Sequence, residues 1–273
     1  MPKEKPSQYV IGIDLGTTNC GVAFARADAI ADPHRLPPVE LFEIAQSTNP
    51  GEVRKEPLLP SFLYIPGAAD FPPGSTALPW DPEPRYVAGE LAKKRGAESA
   101  VRLVHSAKSW LSHSGVDRTA AILPLHLEDS PAKISPVEAS KRYLQHLRAA
   151  WNQEHPEAVF ENQQVLVTVP ASFDAVARDL TVRAADEAGY RNVVVIEEPQ
   201  AAFYAWIERH SDWRDRVRPG DLILVVDIGG GTTDFTLISV TEQAGELALD
   251  RVAVGEHILL GGDNMDLALA RHL

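Results

Sequence analysis

Apolar residues recur along this chain with two different periods, and the alternation between them predicts a layered α/β protein. Val137, Ser140, Leu144, Leu147 and Trp151 return at helical spacing, so one face of that segment is largely apolar. Ser135 is placed as its N-cap, Pro136 suits the first helical position, and Glu138 stands where a capping box has its second member. Gln164 to Val169 is a short β-branched run ending at Pro170 and predicts a buried strand. The helical period returns at Phe173, Val176, Ala177, Leu180, Ala184 and Ala188, with Gly189 as the stop. Asn192 to Ile196 predicts another strand, and Pro199 opens a helix through Trp206. Strands then follow at Leu222 to Asp227, Phe235 to Val240 and about Leu247 to Val254. Finally, Gly261-Gly262 precedes Asp263, which is placed to cap a helix through Leu267 and Leu269.

The first third of the chain breaks this pattern. Of its 21 prolines, 14 lie in the first 84 residues, most of them between Asp32 and Pro84. No single regular element tolerates that density, so the stretch reads as short strands and long loops, an inserted subdomain. With 273 residues the chain is long enough for one large domain or two small ones. Lys and Arg number 26 against 38 Asp and Glu, a net charge of −12, which points away from nucleic acid and from anionic membrane surfaces. The one cysteine, Cys20, excludes an internal disulfide. Met1 to Gln8 carries charges and prolines but no apolar signal core, and runs such as Leu222 to Val226 are too short to span a bilayer. These features predict a soluble cytoplasmic protein.

One pattern occurs twice. Tyr9-Val-Ile-Gly-Ile-Asp14-Leu-Gly16-Thr17-Thr18-Asn19 and Leu224-Val-Val-Asp227-Ile-Gly229-Gly230-Gly231-Thr232-Thr233-Asp234 each run from an apolar strand through Asp, an aliphatic residue and glycine to two threonines. A second β-like run follows each, so each predicts a hairpin with a glycine-rich turn. Such turns suit polyphosphate: glycine lets backbone N–H groups approach phosphate oxygens, and threonine hydroxyls add donors. Aspartate at the strand end accepts hydrogen bonds from the water shell of Mg²⁺, which separates the acids from the phosphates. A single copy is better explained as an ordinary hairpin turn; two matching copies favour a paired phosphate clamp. The chain contains no GxxxxGK[ST], GxSxG or HExxH, and no strand leads into a GxGxxG. Its nine histidines are scattered and read mostly as surface residues.

At these residues the sequence resembles the 70-kDa heat-shock chaperones, the DnaK-like family. Asp14 to Asn19 and Asp227 to Asp234 look like its two phosphate motifs. Val167-Thr-Val-Pro-Ala-Ser-Phe173 and Ile196-Glu-Glu-Pro-Gln-Ala-Ala202 look like the segments between them, and Gly255-Glu-His-Ile-Leu-Leu-Gly-Gly262 like the segment after the second. The resemblance implies an α/β actin-like ATPase (ribonuclease H-like) fold with two lobes and ATP in the cleft. It implies a first lobe at 8–220 (core 8–42 and 135–220, insert about 43–134), essentially complete, and a second from 221 that 273 cuts short. Thr17, Thr18 and Asn19 would contact the β- and γ-phosphates, with Gly16 forming the turn. Asp14, Glu198 and Asp227 would hold the Mg²⁺ hydration shell. Gly229, Gly230, Gly231 and Thr232 would wrap the phosphates, Asp234 would lie near the attacking water, and Gly262 would touch the nucleoside side. Lys93, in Gly89-Glu-Leu-Ala-Lys93-Lys94, matches the family's active-site lysine, which orients the water and offsets charge developing on the γ-phosphate; a solvated surface lysine is the plain alternative. Glu198 equally suits a helix N-terminus on electrostatic grounds. Pro170 and Arg178 match positions that relay nucleotide state to a partner domain, and read equally well as a strand terminator and a surface arginine.

The implied function is Mg-ATP binding and hydrolysis by water attack in a molecular chaperone. Implied partners are unfolded client polypeptides, a J-domain-type co-chaperone and a nucleotide exchange factor. A small-molecule (sugar or acetate) kinase of the same fold, and a non-enzymatic nucleotide-sensing scaffold, remain rivals; turnover accelerated by a sugar would select the first. The strands of Leu222 to Val254 are expected to leave a sheet edge and apolar surface uncovered, giving weak ATP affinity and a tendency to aggregate.

Overall fold

The computed structural model describes residues 7–31, 37–128, 132–210, 212–243, 246–256 and 258–272. The charged residues 1–6, the start of the proline-rich stretch at 32–36, and His257 in the segment after the second motif lie outside them. Two compact units are present: Met1–Val167 with Ala175–Val195, and Thr168–Asp174 with Ile196–Leu273.

The first unit is built on a hairpin, β1 (Tyr9–Leu15) and β2 (Asn19–Arg26), paired from Tyr9↔Arg26 to Leu15↔Cys20. Short strands follow, as the prolines predict: β3 (Glu40–Leu41), β4 (Ile44–Asn49), β5 (Glu52–Glu56), β6 (Leu58–Pro60), β7 (Leu63–Tyr64) and β8 (Val87–Ala88). Helix α1 (Glu90–Glu98), β9 (Leu103–Val104) and α2 (Ala107–Ser112) complete this region. Then come α3 (Pro136–Glu154), β10 (Gln164–Val169), α4 (Ala175–Glu187) and β11 (Val193–Glu197). The main sheet has the order β11-β10-β1-β2-β3, with β6 also paired to β2. β10 lies parallel to β1, so a crossover through the insert and α3 joins them, the connection an α/β layer requires.

Alternation along β1 buries Ile11, Ile13 and Leu15 and leaves Asp14 exposed. The face of α3 predicted from its period is buried throughout, from Val137 to Trp151. Ser135 caps the helix by accepting the Glu138 N–H at 3.0 Å. The other half of the predicted capping box does not take that form, because the Glu138 carboxylate is drawn to Arg142 at 2.9 Å and to Lys141. Trp151 donates to the Ala158 carbonyl and stacks on His155 with ring centroids 4.0 Å apart. One prediction fails here. Val176 is 55% exposed while Ala177 beside it in the first turn of α4 is buried, so the buried stripe of the helix excludes it. His146 is buried, with Nε2 2.9 Å from the Ala45 carbonyl; burial pushes its pKa down to about 4, so the ring is neutral at pH 7.

The second unit contains α5 (Glu198–Arg209), the short α6 (Trp213–Arg216), the antiparallel sheet β12 (Leu222–Ile228), β13 (Thr233–Gln243) and β14 (Glu246–Val254), and α7 (Gly262–Ala270). Asp234, Thr236, Ile238 and Val240 of β13 are buried, while Leu222, Leu224 and Ile228 of β12 are 60–62% exposed. Asp263 does not cap α7. Gly261 is the N-cap, and the Asn264 side chain accepts its N–H at 3.0 Å, leaving Asp263 in the first turn.

Candidate functional site

The first unit holds Asp14, Gly16, Thr17, Thr18, Asn19 and Lys93. Ladder pairing between β1 and β2 stops at Leu15↔Cys20, so Gly16, Thr17 and Thr18 form the connection. A Cβ on Gly16 would sit 2.2 Å from the Asn19 carbonyl oxygen, which is why the turn needs glycine there. Thr17, Thr18 and Asn19 are half-buried, and Asn19 Nδ2 donates to Thr18 Oγ1 at 3.2 Å. Outside the hairpin, Ser61 holds the turn: its hydroxyl donates to the Gly16 carbonyl and its N–H to the Thr18 carbonyl, both at 2.8 Å. Cys20 is buried beside it, and burial pushes its thiol up to about 12, with Asp14 adding to the rise.

Lys93 lies on α1, exposed, and shares a cavity of about 390 Å³ with Asn19, Gln46, Thr48, Arg54 and Lys94. The two adjacent lysines differ in what they touch. Lys94 Nζ donates to the Thr48 carbonyl at 2.9 Å and pairs with Glu90 at 3.7 Å. The Lys93 N–H donates to the Gly89 carbonyl at 3.0 Å, and its ammonium makes no hydrogen bond or ion pair among the described residues. Helix α1 is capped from a distance: Gly89 offers no side chain, and Gln46 Oε1 accepts the Glu90 N–H at 2.9 Å while Gln46 Nε2 donates to the Leu58 carbonyl at 2.8 Å. Gly89 has φ +80°, and a Cβ there would meet Gln46 Oε1 at 2.3 Å. Gln46 therefore sets the start of the helix that carries Lys93.

The second unit holds Glu198, Asp227, Gly229 to Thr232, Asp234 and Gly262. Asp227 and Asp234 are register partners across β12 and β13, and Asp234 is 7% exposed. The Gly229 N–H donates to the Thr232 carbonyl at 2.8 Å and closes the turn. The start of α7 folds onto this turn: the Gly262 N–H donates to the Gly229 carbonyl at 3.0 Å and the Asp263 N–H to the Gly230 carbonyl at 2.8 Å. Thr233 Oγ1 donates to the Leu260 carbonyl at 2.8 Å. Glu198 is the first residue of α5, which packs on β12. Pro170 is buried at the end of β10 in this unit, and Arg178 is half-buried on α4 in the first.

Three residues that these contacts single out were not selected from the sequence: Ser61, Gln46 and Gly261. The first two carry no local pattern, since both act on segments more than 40 residues away. Gly261 stands beside the chosen Gly262, yet it is the one under constraint. A Cβ on Gly261 would lie 2.6 Å from the Gly229 oxygen and the Gly230 carbonyl, whereas one on Gly262 would find nothing nearer than 3.8 Å. The backbone of Gly261 is extended, at φ −151°, so the conflict is one of space. Gly261→Ala is expected to lower stability by about 1–3 kcal/mol and Gly262→Ala by less than about 1 kcal/mol. Thermal melts of the two variants side by side check this; equal losses would contradict it.

The family model described as Hsp70 protein matches residues 90–273. The chain belongs to the Hsp70 family. Chaperone protein HscA homologs resemble this Hsp70-family chain along nearly its whole length. That of Bordetella pertussis is 29% identical over 99% of the chain, that of Methylibium petroleiphilum 30% over 98%, and that of Pseudoalteromonas atlantica 28% over 97%. The chain spans 37–38% of the length of these relatives. Its α/β sheets and crossover are those of the actin-like ATPase fold of the Hsp70 nucleotide-binding region. Among the described residues no helix is long and apolar enough to cross a membrane.

Proposed function

We propose that this Hsp70-family chain binds Mg-ATP and hydrolyses it by direct attack of water, without a covalent phosphoenzyme. The observation that carries the reading is the doubled hairpin. In both units an aspartate precedes a glycine-bearing turn that ends in threonines. The residues fit the nucleotide: a Cβ has no room at Gly16 or, against Gly229 and Gly230, at Gly261, and threonine hydroxyls flank both turns. In this reading Thr17, Thr18 and Asn19 donate to β- and γ-phosphate oxygens. Gly229, Gly230, Gly231 and Thr232 offer backbone N–H groups to the phosphates, and Gly262 borders the nucleoside.

Asp14, Glu198 and Asp227 hold the metal through its water shell. This does not require the close cluster of acids and histidines that a bare ion needs, and no such cluster occurs among the described residues. Mg²⁺, when bound, would supply positive charge to offset that of the phosphates. Asp234 accepts a hydrogen bond from the attacking water, and Lys93 orients that water and stabilises charge on the γ-phosphate. A division into lobes near residue 220 belongs to the same reading. So does a relay of nucleotide state through Pro170 and Arg178. In the complete protein the cycle would serve the folding of client polypeptides in the cytoplasm, with a J-domain-type co-chaperone and a nucleotide exchange factor.

Isothermal titration calorimetry of the full-length protein tests this. ATP is expected to bind with Mg²⁺ present and to lose most of its affinity in excess EDTA. Absence of any Mg-dependent binding would defeat the reading.

A further inference from the structure

The Gly16–Thr18 turn has no ladder of its own, since pairing between β1 and β2 ends one residue before it. Its carbonyls are instead taken by a single distant residue. Ser61 Oγ donates to the Gly16 oxygen and Ser61 N–H to the Thr18 oxygen, each at 2.8 Å. Ser61 is itself held. Tyr143 Oη donates to its carbonyl at 2.8 Å, and the strand just before it, β6, pairs with β2 through Asn19↔Pro60 and Cys20↔Leu59. Ser61 and Tyr143 are each 2% exposed, so water does not compete for these bonds. The Ser61 hydroxyl proton is committed to Gly16, which leaves its oxygen to accept from Cys20, whose Sγ lies 3.2 Å away. A thiol raised by burial keeps the proton this needs.

Peptide planarity gives the arrangement a consequence. In a trans peptide the C=O and the following N–H point in opposite directions. Fixing the Gly16 carbonyl on Ser61 therefore turns the Thr17 N–H away from Ser61, and fixing the Thr18 carbonyl does the same for the Asn19 N–H. We propose that Ser61 is a positioning residue for phosphate binding, a clip that holds the first turn so that Thr17, Thr18 and Asn19 present their donors to the nucleotide. This rests on the Mg-ATP reading above. Ser61 does not touch the nucleotide; it acts through the turn.

The test uses Ser61→Ala and Tyr143→Phe in the full-length protein, with Val165→Ala as a control. Val165 is buried on β10, away from the turn. Amide hydrogen exchange without nucleotide reads the clip directly. Ser61→Ala is expected to speed exchange at residues 16–19 by about tenfold or more. Tyr143→Phe is expected to do so less, and Val165→Ala not to do so selectively. Steady-state kinetics reads the function: Ser61→Ala is expected to lower kcat by about tenfold to a hundredfold with KM changed by less than about threefold. Unchanged exchange in both Ser61→Ala and Tyr143→Phe overturns the clip. Faster exchange with unaltered kcat, or an equal fall in kcat for Val165→Ala, overturns the positioning role. A wild-type protein that exchanges slowly at the turn but neither binds nor hydrolyses Mg-ATP overturns the nucleotide reading and leaves the clip standing as a structural device. Should Ser61→Ala not fold, the Tyr143→Phe exchange and kinetics decide by the same criteria.

Discussion

Lys93→Ala is expected to lower the rate of ATP hydrolysis by about a hundredfold or more while nucleotide still binds, and Lys94→Ala to change it by less than about threefold. The two residues are neighbours on one helix, and sequence alone gives little reason to choose between them. Their surroundings differ. Lys94 is already committed to the Thr48 carbonyl and to Glu90, so its charge is spent within the protein. Lys93 shares a cavity with Asn19, and its ammonium has no polar partner among the described residues, so it is available to charge that develops on a bound phosphate. A preorganised cation or donor aimed at transition-state charge contributes about 10²–10³ in rate. Single-turnover hydrolysis measured together with nucleotide affinity separates the two contributions. If Lys94→Ala carried the loss, the assignment would move by one residue. If neither variant lost turnover, α1 would have no part in the chemistry.

Gly16→Ala is expected to cost about a hundredfold in turnover and about 2–3 kcal/mol of stability, and Gly229→Ala far less in both. The two glycines occupy equivalent places in the doubled pattern, so the sequence predicts equal sensitivity. The turns are built differently. A Cβ on Gly16 would stand 2.2 Å from the Asn19 oxygen, a backbone atom, whereas one on Gly229 would stand at an ordinary 3.5 Å from the Thr232 oxygen. Relieving the first contact requires a displacement of about 1 Å in a turn whose donors, on the proposed reading, meet phosphate, a misplacement that costs about a hundredfold. Both turns place four residues between their paired ends, Leu15↔Cys20 and Ile228↔Thr233, so the crowding differs through the path of the backbone and not through its length. The stability loss would lower the melting temperature by about 4–12 °C. Equal behaviour of the two alanine variants, in melting and in turnover, would refute this asymmetry.

What the sequence determined by itself is local or repeated. The two hairpins follow from apolar runs on either side of glycine-threonine turns, the Ser135 cap of α3 from residues three apart, and the Gly189 stop of α4 from one residue with φ +90°. The family resemblance is of the same kind, because it rests on short motifs whose order can be read along the chain. Where prediction failed, it was the surroundings that misled. Val176 has the right period but lies outside the buried stripe of α4, and Asp263 is the right residue type two positions past the cap.

The tertiary structure alone decided the rest. Lys93 is distinguished from Lys94 by a carbonyl on β4, the start of α1 is set by Gln46, Gly261 is distinguished from Gly262 by the backbone of a turn some thirty residues earlier, and the Gly16–Thr18 turn is held by Ser61. In each case the deciding atom belongs to a segment far away along the chain. Periodicity and spacing report which face a residue occupies; they do not report which carbonyl oxygen that face will meet, because that is set only when the elements pack together.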